Sequence, residues 1–324
     1  MRAVATAGEL VVVDCPLPWL MRLLTDGTGG ELSGATDGGA TVRLEIERSR
    51  QPFDHHGWAL VGRGSWASPP SALLTDACSS GFDLRIEPRG ETLWVAARYR
   101  PAARTRAANV LLPTRFKLLA TQTLLHYPAL WWASVRGRVP LHVSVTARAA
   151  SVTMIAGPGG VGKSTLLSAG LKHGEIATAD NVCACDERSA YGLAEPLRVT
   201  ADTRRPSTMH GRIERQLPGR VASLDPDRLV VLSRLTAGSK DRVGPLSPAA
   251  AARALVAGTY MAGELRRFWP FAATLALATG IGPAHPDISG IAAVIAGRLP
   301  CFEVSVAHGS PRHLGQLVSP AGAL

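Results

Sequence analysis

The sequence predicts an α/β fold in two parts: a small β-rich module over residues 1–107 and a larger α/β domain over 108–324. Three observations carry that expectation. Apolar and polar residues alternate in "TVRLEIE" (41–47), "FDLRIE" (82–87) and "TLWVAARY" (92–99), the two-residue period of half-buried strands. The later part of the chain mixes short apolar runs with longer helix-forming stretches. One of those runs, "SVTMIA", passes through a glycine-rich loop directly into "KSTLLSAGLK", a strand–loop–helix unit.

Taken in order, the first module places its strands between turn clusters such as "TDGTGG" and "ATDGGA" and reads as antiparallel. "RPAARTRAAN" (100–109) is the expected boundary. A helix follows over about 114–136, where adjacent Trp131 and Trp132 point in different directions and suit core packing. Strands are expected at 141–146 and 152–156, a helix at 163–172, and short strands at 176–179 and 182–186. "RLVVLSRL" (228–235) reads as a further apolar strand and "FEVSVAH" (302–308) as a late one. Between them, 247–261 is helical, with Ser247 as N-cap and Pro248 just inside it.

Composition narrows the function classes. The chain has 324 residues and a net charge of +10, mostly from arginine, which favours acidic partners. The basic residues are scattered, with no Lys/Arg run interleaved with aromatics, so nucleic acid is not the expected partner. Five dispersed cysteines without C-x-x-C spacing argue against zinc and against a disulfide framework. Cys183 and Cys185 alternate along a strand and read as packing residues. Glu9 and Asp14 interrupt the N-terminal apolar stretch, so a signal peptide is not expected. The longest apolar region is broken by Gln122, His126 and Pro128 and suits a buried helix better than a membrane span. A cytoplasmic protein with no membrane partner is the expectation.

The chemistry sits in "IAGPGGVGKSTLL" (155–167), which fits the phosphate-loop pattern G-x-x-x-x-G-K-[ST]. Gly157, Pro158, Gly159, Gly160, Val161 and Gly162 form the loop, whose backbone N–H groups would converge on phosphate oxygens at a helix N-terminus. Lys163 would reach the β- and γ-phosphates, Ser164 would bind Mg²⁺, and Thr165 completes the loop's contacts. ATP and Mg²⁺ are therefore the expected cofactors. A motor or switch NTPase would need an apolar strand ending in an acid, whereas "RLVVLSRL" ends in Ser233 and Arg234 before its last leucine. Asp180, at the end of a short strand after the loop helix, is the candidate base or second metal ligand.

The order "PLHVSV…GPGGVGKSTLL…HGEIATADNVCACD…YGLAEPLRV" resembles the HPr kinase/phosphorylase superfamily, related in fold to phosphoenolpyruvate carboxykinase. The resemblance covers roughly residues 111–310 and is most specific over 141–198. It implies a catalytic role for His142, which matches the histidine preceding the phosphate loop, alongside Lys163–Ser164 and Ala179–Asp180. Asn181 stands where the family carries a second acid, and Thr165 where the bacterial regulatory enzymes carry Glu. No counterpart of the long signature behind their phosphorylase reaction is present. A β-rich module ahead of a short domain is closer to kinases of peptide natural products, including those that phosphorylate a serine of a lasso-peptide precursor.

The resemblance thus implies an ATP- and Mg²⁺-dependent kinase acting on a hydroxyl acceptor, a serine of a peptide or protein, with homo-oligomers open as in the bacterial relatives. A small-metabolite kinase and a non-catalytic nucleotide sensor are the alternatives. Secondary candidates are Glu195 near the metal, Lys240, Arg242 and Arg312 as phosphate clamps, and the histidines at 55–56, 308 and 313 as loop residues.

Overall fold

The computed structural model describes residues 1–34, 38–200, 212–234 and 240–307. Its α-helices, among the described residues, are α1 (Pro18–Gly27), α2 (Ala103–Leu111), α3 (Pro113–Thr121), α4 (Tyr127–Val135), α5 (Lys163–Lys172), α6 (Pro248–Tyr260), α7 (Phe268–Thr279) and α8 (Ile288–Arg298). The architecture is mixed α/β with several sheets. No helix among these residues is long and apolar enough to cross a membrane. The chain divides into two compact units.

The first unit takes in Met1–Gly137 and Arg267–Pro286, so it extends past residue 107 and recruits a later helical segment. Its strands are β1 (Arg2–Thr6), β2 (Glu9–Asp14), β3 (Ser33–Gly34), β4 (Val42–Glu47), β5 (Ala59–Gly62), β6 (Ser65–Ser68), β7 (Ser71–Leu74), β8 (Phe82–Arg89) and β9 (Thr92–Tyr99). They form one nine-stranded sheet in the order β3-β1-β2-β4-β9-β8-β7-β6-β5. The sheet is mixed, not antiparallel as expected. β4 lies parallel to both β2 and β9 because the connections before and after it are long excursions, one of them containing α1. The expected "TDGTGG" turn accordingly begins inside α1, which ends at Gly27.

Alternation does place one face inward: Leu84 and Ile86 on β8 and Leu93, Val95 and Ala97 on β9 are buried. Against the sheet run α4, touching β2, β4 and β9, and α7, touching β5, β6 and β7. Arg43 and Arg89 flank the strand residue Trp94, while Arg98 covers Phe53 in the connection after β4, each a cation–π contact. The helix expected at 114–136 is divided. Pro128 has no N–H for the carbonyl one turn back, and a π-helical segment, Gln122–His126, widens the turn between α3 and α4. Trp131 and Trp132 are buried, as the core reading requires.

The second unit is built from Arg138–Asp202, Ile213–Arg266 and the chain from Asp287 onward. Its strands are β10 (Val139–Leu141), β11 (Ser144–Arg148), β12 (Ser151–Ala156), β13 (Ile176–Ala177), β14 (Cys183–Cys185), β15 (Ala190–Gly192), β16 (Leu197–Thr200), β17 (Arg212–Arg215), β18 (Ser223–Leu224), β19 (Arg228–Arg234), β20 (Arg242–Pro245) and β21 (Cys301–Val306). A six-stranded sheet runs β13-β11-β12-β19-β21-β20, with β12, β19 and β21 mutually parallel. A four-stranded sheet runs β10-β14-β15-β18, and β16 pairs with β17.

The expected strand at 141–146 is therefore two strands in different sheets, with His142 and Val143 in the step between them. Helix α6 begins as the sequence implies, with Ser247 Oγ accepting the Ala250 N–H at 3.3 Å and Pro248 in the first turn. Helices α7 and α8 fall where the sequence reading assigned nothing. Around β12 and β19, Ile155, Val161, Leu166, Val230, Leu232 and Val304 form one buried cluster, which seats the loop and the first turn of α5 on the sheet.

Gly192, on β15, runs close against the chain that follows β13. A Cβ there would stand 2.2 Å from the Thr178 carbonyl oxygen, so β15 passes over the residues that lead to Asp180 only because no side chain intervenes. Gly192→Ala is expected to destabilise the protein by about 1–3 kcal/mol, the usual cost of overpacking, visible as a lower Tm. An unchanged Tm would mean that this crossing has slack.

Candidate functional site

The loop from Gly157 to Gly162 joins β12 to α5, the context that the pattern requires. Its glycines are structural necessities at both ends. Gly157 has φ +145° and backs onto the Leu232 carbonyl, 2.9 Å from where a Cβ would stand; Gly162, at φ +116°, is the N-cap of α5. Pro158, Gly159 and Gly160 are exposed at the loop crest, while Val161 anchors it in the apolar cluster. Lys163 is buried, its Nζ donating to the carbonyls of Gly157 at 2.8 Å and Pro158 at 3.3 Å. The ammonium thus lies across the loop that it would share with a phosphate. Ser164 is half-buried and close enough to Asp180 to favour its charged form, whereas Thr165 is exposed.

Asp180 is fully buried. Its Oδ2 accepts from the Arg198 backbone N–H at 3.1 Å and from Asn181 Nδ2 at 3.2 Å. Oδ1 has no partner within hydrogen-bond distance among the described residues. Burial pushes the carboxyl's pKa up, and Ser164, Arg198 and Lys163 pull it back. A carboxylate with one oxygen tied down and the other free is what a metal or an acceptor proton would use. The donor set also suits Mg²⁺, which takes few protein ligands and completes its shell with phosphates and water. Among the described residues, no cluster of three His, Cys, Asp or Glu side chains forms an all-protein cage.

His142 joins the group from the step between β10 and β11. Its backbone N–H donates to Thr259 Oγ1 at 3.1 Å, and burial, then the neighbouring Lys163 charge, lowers the imidazole to about 4. The ring is neutral at pH 7. It can donate or accept a hydrogen bond there, but it brings no positive charge.

Behind Asp180 lies a charged cluster. The Asn181 backbone N–H donates to Glu195 Oε1 at 3.0 Å. The Arg198 guanidinium stands 3.9 Å from Glu195, 3.9 Å from Glu214 and 3.6 Å from Glu264. Burial holds Glu195 at about 7, opposed by Arg198 and reinforced by Asp180 and Glu264. Asn181, standing where the resemblance leads one to expect an acid, ties Asp180 to this cluster with its amide and Glu195 with its backbone.

Lys163, Ser164, Asp180, His142 and Glu195 therefore share one neighbourhood, while other candidates fall elsewhere. Lys240 is exposed, and Arg242 lies on the edge strand β20. Arg312, His308 and His313 lie outside the described residues. His55 packs on Trp66 with ring centroids 4.3 Å apart, a structural contact. Cys183 is fully buried and its thiol is pushed up to about 12 by that burial, so it packs rather than reacts. Arg198 and Glu264 were missed by the sequence reading. Arg198 had a signal, standing three residues after Glu195 in "AEPLR"; Glu264 had none. No family model matches the sequence, and comparison with curated proteins finds no match.

The Glu195 environment has a measurable sign. An acid raised from 4.5 to about 7 on folding makes its full contribution to stability below pH 4.5 and loses it as pH rises through 7. Glu195→Gln keeps an acceptor for the Asn181 N–H and cannot ionise. Its stability relative to wild type, measured by denaturant unfolding, is expected to improve steadily between pH 5 and pH 7.5. A difference independent of pH would mean that Glu195 ionises as freely in the folded protein as in the unfolded one.

Proposed function

We propose that this chain is an ATP- and Mg²⁺-dependent kinase with an HPr-kinase-like catalytic unit, transferring the γ-phosphate to a hydroxyl, a serine of a peptide or protein. The observation that carries the proposal is the convergence of a complete phosphate-loop pattern and a buried acid, Asp180, that lies close to the loop's Ser164 and has one oxygen without a partner among the described residues. The lack of an acid at the end of β19 favours transfer over a motor or switch cycle.

In this reading Lys163 leaves the loop carbonyls for the β- and γ-phosphates, and the loop N–H groups hold the β-phosphate against the positive end of α5. Ser164 would hold Mg²⁺, which neutralises charge on the phosphates when bound, with Asp180 as a further ligand only where its free oxygen is not the base. The acceptor hydroxyl attacks the γ-phosphorus as the bond to the β-phosphate oxygen breaks, and its proton passes to a carboxylate oxygen of Asp180. ADP keeps the electron pair of the broken bond. Neutral His142, whose Nδ1 has no hydrogen-bond partner among the described residues, would line the site without competing with Lys163 as a cation. The first unit, whose described residues show no comparable grouping, is assigned to recognition of the acceptor.

Two variants test the reading. Lys163→Ala is expected to fold, to bind triphosphate weakly and to transfer nothing, read as the absence of a one-phosphate mass gain on candidate acceptors; normal turnover in that variant rules the loop out as the reaction centre. Asp180→Asn is expected to keep nucleotide binding and lose about 10²–10⁴-fold in rate, the contribution of a positioned acid–base group. A rate within a few-fold of wild type would reduce Asp180 to a buried turn residue.

A further inference from the structure

We infer that Arg234 grips the terminal phosphate of a bound nucleoside triphosphate and makes the site discriminate triphosphate from diphosphate; this rests on the kinase reading. The argument begins with strand register. β19 lies parallel beside β12, with Val231 opposite Ala156, the last residue before the phosphate loop. The final turn of β19 therefore runs alongside the loop itself. Two distances show it: a Cβ on Gly157 would stand 2.9 Å from the Leu232 carbonyl, and a Cβ on Gly162 would stand 3.9 Å from Arg234 Nη2.

The two-residue period of the strand explains why the guanidinium arrives there. Val230 and Leu232 point into the cluster that holds Val161 and Leu166 beneath the loop. Arg234 is the next residue on that face, at the point where the apolar floor ends. Its side chain is exposed, and among the described residues it makes no ion pair.

Electrostatics then gives the position a meaning. A cation beside a helix N-terminus is disfavoured by the helix dipole, and Lys163 already contributes a positive charge next to it. Three positive features, namely the α5 N-terminus, Lys163 and Arg234, gather around the loop, with the buried carboxylate of Asp180 nearby and that of Glu195 behind it, facing Arg198. An anion carrying several charges resolves that excess; a lone phosphate group does so only in part. Lys163 reaches the loop from within, whereas Arg234 reaches it from the strand, so the two bracket the outer end of a bound polyphosphate. Arginine also offers a planar fork of donors matched to two phosphate oxygens. Strand β19, whose end lacks the acid that a switch NTPase needs, instead supplies a cation at the position where charge moves during transfer.

The test compares ADP with a non-hydrolysable ATP analogue, by calorimetry with Mg²⁺, on the full-length wild-type, Arg234→Ala and Arg234→Lys proteins, with unfolding curves confirming that all three fold. The expected result for Arg234→Ala is a loss of about 10–100-fold in analogue affinity, the range for one charge-assisted hydrogen-bonding group, with ADP affinity changed less than about threefold. Arg234→Lys should fall between. Equal weakening of both nucleotides, or no weakening of either, overturns the role of Arg234 while leaving the kinase reading in place. A wild-type protein that binds neither nucleotide takes down both.

Discussion

Arg198 is the residue on which the candidate site depends. Its backbone N–H fixes one oxygen of Asp180, and its largely buried guanidinium stands among Glu195, Glu214 and Glu264. Carboxylates gathered this closely, Glu195 buried among them, would repel one another without a cation in their midst. None of the three ion-pair distances is short enough for a tight hydrogen bond, so the arginine acts as a shared field and not as a partner to one acid. The same residue thus holds one oxygen of Asp180 through its main chain and favours the charged form of Glu195 through its side chain.

That arrangement divides the labour among neighbouring ionisable groups. His142, pressed between burial and Lys163, stays neutral. Asp180 is pushed toward protonation by burial and drawn back by Ser164, Arg198 and Lys163, which leaves a carboxylate able to change its proton. Glu195 absorbs much of the cost of crowding, with its acid raised to about 7. A single fully buried pair would not separate the roles in this way, because each partner would only cancel the other.

Much of the second unit was legible in the sequence. The strand–loop–helix from Ser151 to Lys172, the apolar strand at 228–234 and the capped helix after Ser247 all rest on local rules: glycine at positive φ, an unbroken apolar run, and a serine followed by proline. Less was legible in the first unit. Strand existence followed from alternation, but strand direction did not, because a parallel neighbour requires a long connection that alternation does not encode. The helix around Pro128 was read as continuous, since periodicity is nearly preserved across a π turn. Helices α7 and α8 are apolar on most sides and give little amphipathic signal.

The sequence by itself determined the G-x-x-x-x-G-K-[ST] loop with its lysine and serine, because residue type and spacing carry that pattern; Asp180 was a candidate from its place after the loop helix, and His142 from the family resemblance. Only the tertiary structure decided which groups meet. Asp180 reaches Ser164 through a crossing that Gly192 leaves open, Glu264 arrives from the chain beyond α6, and Arg234 comes to Gly162 from a parallel strand more than sixty residues away. Strand order and register set those meetings, and both arise from burying apolar faces across the whole unit. No local spacing specifies them.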